Sequence, residues 1–246
     1  MKELRRPLFE ELDPARRPFY YFTLPEEEDC ALLDAALLEC VERGCVTLIP
    51  QPAPAYAPDK DVLALLKWQY AYLLQKASER GLTVAFTLSP VTERLVLAQR
   101  PELAGKVLQC KEYLCTSGER FSRKLADRER TALVGISEEY CEIHDLRDSV
   151  KDSVLCWQVP QGNYVVREYY TANDTEPVVN YLSYADAKAY LDTALSLFSD
   201  TVTPYLGNTL SLLAFSDIGF RGQNHRAWDT GFNKAFLARF GFDPAP

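Results

Sequence analysis

The sequence predicts an α/β fold with a parallel sheet and a small β-rich insertion. Apolar strand-like segments alternate with amphipathic helical segments over residues 19–89, which is the pattern of successive βα units. The alternation returns over residues 184–240. Between them, residues 107–170 carry short apolar segments separated by turn residues, as antiparallel sheets do. We therefore expect βα units in residues 1–106, an insertion in residues 107–175, and a continuation of the α/β part in residues 176–246.

The first βα unit follows a polar lead-in, residues 1–17. Residues Phe19–Leu24 are aromatic and include Thr23, which favours a strand. Pro25 and the four acidic residues after it predict a helix start, because proline fits the first turn and acids complement the helix dipole. This helix is expected to reach Arg43 and to end at Gly44.

Two further strands complete the first series. The segment Cys45–Ile49 is short and continuously apolar, as strands buried in parallel sheets are. A proline-rich loop over residues 50–58 separates it from an amphipathic helix, Asp61–Arg80, and a third strand, Leu82–Ser89. Right-handed βαβ connections are the expected result.

After the insertion, the sequence predicts a helix over Tyr184–Thr203, a strand over Leu210–Phe215 and a helix over Gly231–Phe240. Phe232, Phe236 and Phe240 share one face of the last helix.

Composition excludes several classes of protein. The net charge is −8, whereas binding to a nucleic acid backbone requires clustered lysine and arginine. No apolar run approaches the roughly 18–20 residues of a membrane span, and the charged N-terminal segment lacks the apolar core of a signal peptide. We expect a cytoplasmic protein with no nucleic acid or membrane partner.

The seven cysteines are predicted to be reduced, structural thiols, since no export signal precedes them. A zinc site is disfavoured because there is no paired C-x-x-C motif, although Cys141 and His144 lie three residues apart. With only two histidines in the chain, we expect no metal and no cofactor.

Candidate site residues follow the predicted strands, where α/β folds place their chemistry. Each has a functional and a structural interpretation. Asp217 is a candidate acid, or else a cap for the following turn or a partner of Arg221. Trp228 is a sugar-stacking residue or an anchor for the next helix, and Glu93 faces the site or begins a helix. The full set of predicted site residues is Asp217 as the catalytic acid, and Arg221, His225, Trp228, Asp229, Gln51, Tyr56 and Glu93 as substrate-binding residues.

Several motifs resemble, in their order, those of glycoside hydrolase family 106-like proteins, the α-L-rhamnosidase type. The resemblance covers nearly the whole chain at low identity. The segments that carry it are RPFYYF at 17–22 for R-P-F-W-x-W/F, WQVPQGNYVV at 157–166 for W-x-V-P-x-G-x-W-x-V, NYLS at 180–183 for D-Y-L-N/D, FSD at 215–217 for F-T-D-E-P, and WDTGF at 228–232 with FGFDP at 240–244 for P-W-T-x-x-F and Y-G-Y-D-P.

The resemblance implies a partial (β/α)8 TIM-like barrel of about four βα units that acts on rhamnoside-type glycosidic bonds. It also implies two carboxylic acids, but the family's glutamate position is Ile218 here, and the acidic pair after the third strand falls on Leu88-Ser89. Asp217 lies one residue before the expected position and on the opposite face of a regular strand. The second acid would come from a later strand. The alternative is a non-catalytic barrel fragment that binds carbohydrate or protein. An open half-barrel also predicts a homo-oligomer or a missing C-terminal half.

Overall fold

The computed structural model describes residues 18–53, 60–128, 130–174, 177–216 and 226–242. It confirms the α/β class. The chain forms two compact units. The first contains Met1–Leu103, Pro177–Val179 and Lys188–Gly219, and the second contains Ala104–Glu176, Asn180–Ala187 and Phe220–Pro246.

The first unit is built on a parallel sheet with helices between its strands. Its strands are β1 (Phe19–Thr23), β2 (Thr47–Gln51), β3 (Thr83–Leu88) and β11 (Leu212–Phe215), where strands are numbered along the whole chain. Its helices are α1 (Cys30–Glu42), α2 (Lys60–Glu79), α3 (Pro90–Gln99), α4 (Tyr184–Leu197) and α5 (Ser199–Val202). Helix α4 belongs to this unit from Lys188 onward. The order in the sheet is β1-β2-β3-β11, and all neighbouring strands are parallel. The predicted parallel sheet is therefore present.

Pro50 limits the hydrogen-bonded pairing between the two inner strands of this sheet. The ladder between β2 and β3 contains only the pairs Thr47–Thr83 and Leu48–Val84. It stops where Pro50, which has no N–H to donate, follows on β2. The Thr87 N–H instead donates to the hydroxyl of Tyr70 at 3.0 Å. Tyr70 on α2 is buried, and its ring lies 5.3 Å from that of Phe86.

Several predicted boundaries were wrong by a few residues. The first helix begins at Cys30 rather than at Pro25, because the Asp29 side chain caps it by accepting the Leu32 N–H at 2.9 Å. The second strand extends to Gln51, beyond the predicted end at Ile49. The predicted helix over Tyr184–Thr203 is divided at Phe198 into α4 and α5, followed by a 3-10 turn at Thr203–Tyr205.

The second unit is mainly antiparallel. Its described elements are β4 (Lys106–Cys115), β5 (Arg120–Lys124), β6 (Arg130–Ser137), β7 (Glu142–Asp145), β8 (Val150–Lys151), β9 (Val154–Gln158), β10 (Tyr164–Asn173), β12 (Arg226–Ala227) and α6 (Thr230–Phe240). They form a five-stranded sheet in the order β12-β4-β10-β6-β7 and a three-stranded sheet in the order β5-β9-β8.

Apolar residues from both sheets form one core in the second unit. The buried members are Leu125, Leu133, Leu146, Leu155 and Val166. Trp157 on β9 lies so close to β6 that a Cβ atom on Gly135 would be 2.6 Å from its indole ring. Glycine at this position therefore allows the two sheets to approach each other.

Candidate functional site at the carboxyl edge of the parallel sheet

The carboxyl end of β3 leads directly into a capped helix. Ser89 caps α3 by accepting the Thr92 N–H at 3.4 Å, and the Thr92 hydroxyl accepts the Ser89 N–H at 3.4 Å. Pro90 occupies the first turn. Both hydroxyl residues are buried. The end of the central strand thus holds two neutral hydroxyl groups in fixed positions.

Glu93 lies in the first turn of α3, directly after these hydroxyls. Its side chain is only 1% exposed, and its N–H donates to the Ser89 carbonyl at 2.9 Å. A helix N-terminus favours negative charge, whereas burial of a carboxylate is costly unless partners stabilise it. Glu93 therefore lies at the start of a helix, which is its structural interpretation, and its role in a site stays a prediction.

Gln51 and Gln69 also lie near this edge. Gln51 ends β2, and its carbonyl accepts the Leu24 N–H at 2.8 Å, which ties the ends of β1 and β2 together. The Gln69 amide, on α2, is fully buried and donates to the Pro25 carbonyl at 2.7 Å. Its Oε1 accepts no hydrogen bond from the residues that the structure describes. Gln69 was not predicted as a site residue. Its position between Leu66 and Tyr70, on the apolar face of the helix, could have indicated from the sequence that it is buried.

Four of the predicted site residues lie outside the described residues: Tyr56, Asp217, Arg221 and His225. Ile218, which occupies the family's acid position, is among the same undescribed residues. Their assignments stay predictions.

Trp228 and Asp229 belong to the second unit. Trp228 is 4% exposed and packs against Ala132, with Leu108 and Tyr169 beside it. This burial favours its interpretation as an anchor for the following helix. Asp229 caps α6, since its Oδ1 accepts the Gly231 N–H at 2.7 Å and the Phe232 N–H at 3.2 Å.

The charge of Asp229 is stabilised by these bonds. Burial alone would raise the pKa of its carboxyl group, but hydrogen bonds from Asn180, Gly231 and Phe232 outweigh burial and lower the pKa. The Asn180 amide lies 2.9 Å from Asp229 and 2.9 Å from Asp186, and so links the two carboxylates. Asn180 belongs to the NYLS motif, and here it positions a helix cap.

A second buried carboxylate, Glu168, lies in β10 and was not predicted. It is 0% exposed and accepts hydrogen bonds from Tyr113 at 2.9 Å, Arg128 Nη2 at 2.8 Å and Arg130 at 3.0 Å. Burial would raise its pKa, but hydrogen bonds from Arg128, Tyr113 and Arg130 lower it. The Arg128 guanidinium also stacks on Tyr170, 3.3 Å from the ring centre. Every acceptor direction of Glu168 faces a protein donor, which is the arrangement of a structural ion cluster.

The cysteines form no disulfide: all seven are free. Burial raises the pKa of Cys40 to about 12, which makes it an inert core thiol. Cys30, in contrast, is exposed at the start of α1. Across the described ranges there is no group of three His, Cys, Asp or Glu side chains arranged to hold a metal ion.

No protein family model matches this chain, and no curated protein matches it. No helix in the described part of the chain is long and apolar enough to cross a membrane. The resemblance to rhamnosidase-type proteins therefore depends on the motifs in the sequence.

Proposed function

We propose that this chain is a glycoside hydrolase-like protein of the rhamnoside type, and that it binds a glycoside at the carboxyl edge of the parallel sheet. The observation that carries the proposal is Glu93, a residue that is 1% exposed and lies in the first turn of the helix that follows β3. Open α/β sheets bind ligands outside the carboxyl ends of their strands.

Polar groups at this edge of the sheet have the chemistry that a sugar requires. The Ser89 and Thr92 hydroxyls lie 3.3 Å apart at the end of β3, and the Thr92 hydroxyl also donates to the Thr87 carbonyl at 3.4 Å. The Gln69 side-chain oxygen accepts no hydrogen bond from the described residues. Sugar hydroxyls donate to carboxylates and amides and accept from hydroxyls, and buried donors and acceptors discriminate strongly against a ligand that leaves them unpaired.

Hydrolysis of a bound glycoside requires two catalytic carboxyl groups in addition to the residues that bind the sugar. Two carboxyl groups must flank the bond, about 5–5.5 Å apart for retention and about 6.5–9.5 Å apart for inversion. We assign the proton donor to Asp217, because it stands next to the family's glutamate position, and Glu93 to substrate binding. The resemblance implies that the second catalytic carboxyl group comes from a later strand.

A combined binding and turnover experiment tests this assignment. Wild type, Asp217→Asn, Glu93→Gln and the control Glu42→Gln are titrated with methyl α-L-rhamnoside by calorimetry and assayed on a panel of aryl glycosides. Glu42 is an exposed residue at the end of α1. We expect Glu93→Gln to weaken binding at least about tenfold, as loss of a charged hydrogen bond does, and the control to bind like wild type. Asp217→Asn is expected to abolish turnover and retain binding.

The same experiment distinguishes the alternative function, that of a non-catalytic carbohydrate-binding protein. Background hydrolysis by both wild type and Asp217→Asn, together with saturable binding that Glu93→Gln weakens, would establish it. No binding of any glycoside by a folded wild-type protein would refute both functions. Far-UV circular dichroism of Glu93→Gln shows whether the buried substitution has preserved the fold.

We also propose that the first unit associates with a second copy. The outer strands of its sheet, β1 and β11, contain no charged residue and no proline, which natural edge strands usually use to prevent pairing. Tyr21 on β1 and Phe215 on β11 are 61% and 57% exposed. Sedimentation velocity is expected to show a dimer or larger species, and a compact monomer at all concentrations would exclude the association.

A further inference from the structure

The second unit contains a cavity that the proposed function does not use. Its volume is about 490 Å³, within the range of pockets that hold small ligands. Leu114, Ile136 and Val165 line it, together with Glu138, Glu139 and Arg167.

The floor of this cavity is an aliphatic row across the five-stranded sheet. In the strand register, Leu114 lies opposite Val165, and Val165 lies opposite Ile136. The row continues beyond the cavity to Ile143, which lies opposite Ile136. Residues directly opposite each other on paired strands place their side chains on the same face. Leu114 is 85% exposed and Ile143 is 66% exposed, so this part of the row faces solvent. Such a row favours an occupant with an aliphatic body.

The charged side chains that line the cavity leave an excess of negative charge. Arg167 is paired with Glu112 at 2.7 Å in the next row of the sheet. Glu138 and Glu139 are exposed at the cavity, and neither forms an ion pair with any residue that the structure describes. The Arg167 guanidinium is thus neutralised by its own partner. Glu139 accepts a hydrogen bond from the Tyr140 hydroxyl, but the negative charges of Glu138 and Glu139 have no cationic partner among the described residues.

We propose that this cavity binds a small organic cation with an aliphatic body. Its hydrocarbon part packs on Leu114, Val165 and Ile136, and its ammonium or guanidinium group lies against Glu138 and Glu139. The proposal is independent of the glycoside site, because all of these residues belong to the second unit.

The test uses three probes of equal chain length: n-octylammonium, octan-1-ol and octanoate. Each is titrated into methyl-labelled protein at neutral pH, and binding is followed by the methyl resonances of Leu114, Ile136 and Val165. We expect millimolar binding of n-octylammonium, as its few heavy atoms allow, then weaker binding of octan-1-ol and the weakest binding of octanoate.

Two variants separate charge from apolar contact. The double variant Glu138→Gln/Glu139→Gln is expected to weaken n-octylammonium binding about fivefold or more and to leave octan-1-ol binding unchanged. Leu114→Asn is expected to weaken binding of all three probes, and its high exposure means that the fold tolerates it.

A matched control distinguishes a site from general attraction to an acidic protein. Asp127→Asn/Asp148→Asn removes the same charge from exposed positions in the same unit that do not line the cavity. This control is expected to bind n-octylammonium like wild type. An equal loss in the control, octanoate binding as tight as that of n-octylammonium, or unchanged methyl resonances would each overturn the proposal.

Discussion

The buried carboxylate of Glu168 is expected to contribute strongly to the stability of the second unit. Tyr113, Arg128 and Arg130 donate to it, and the two arginine side chains are each only 23% exposed. In the Glu168→Gln variant the amide keeps the shape of the side chain but leaves two partly buried guanidinium groups without their counter-ion. Removal of one partner of a buried ion pair costs about 3–5 kcal/mol. We expect a destabilisation of this size.

Urea denaturation followed by circular dichroism measures the effect, with Glu112→Gln as the matched control. Glu112 pairs with Arg167 on the same sheet, but the two side chains are 55% and 31% exposed. An exposed pair contributes at most about 1 kcal/mol, so the control is expected to change the free energy of unfolding by less than that. Equal effects in the two variants would refute the argument that burial makes the Glu168 cluster important.

The cluster also predicts how stability depends on pH. The pKa of Glu168 is lowered in the folded protein by hydrogen bonds that outweigh burial, relative to about 4.3 in the unfolded chain. Its stabilisation is therefore complete above the unfolded pKa and is lost as the pH falls through the folded pKa. The free energy of unfolding of wild type is expected to fall more on acidification than that of Glu168→Gln. Parallel pH profiles would contradict this.

Three further substitutions test other parts of the fold. Tyr70→Phe leaves the buried N–H of Thr87 without its acceptor and is expected to cost about 1–3 kcal/mol in urea denaturation; a change below the experimental error would show that another group replaces the hydroxyl. Gly135→Ala places a Cβ atom 2.6 Å from the ring of Trp157, and overpacking of this kind is expected to lower the free energy of unfolding by about 1–3 kcal/mol, with a shift in tryptophan fluorescence. Asp229→Ala removes the cap of α6 and is expected to cost about 1 kcal/mol, whereas Asp229→Asn is expected to restore most of it; equal losses in both variants would disprove a capping role.

The α/β class and the approximate places of most elements could be predicted from the sequence. Apolar periodicity and flanking proline or glycine are local signals, and they mark α2 and β3 to within about one residue. Boundaries that depend on a competing local contact were harder to predict. Pro25 and its acidic neighbours look like a helix start, but the Asp29 side chain caps the helix further along.

The candidate site was predicted only in part. Gln51 and Glu93 follow strands in the sequence, so their position at the carboxyl edge was foreseeable from the order of the elements. The burial of Glu93 was not, because it depends on how the strands and helices around β3 pack together.

By itself, the sequence determined the alternation of strands and helices, the β-rich insertion and the candidate residues at strand ends. Only the tertiary structure decided which polar groups are buried and charged. Glu168 stands in the segment YVVREYY as one polar residue among aromatic neighbours. Its partners Arg128 and Tyr113 are 40 and 55 residues away in the chain. The pairing of β4 with β10 brings Tyr113 to it, and Arg128 lies in the loop that leads into β6, the other neighbour of β10. Local patterns specify backbone conformation, whereas the free energy of a buried charge depends on residues that are distant in sequence.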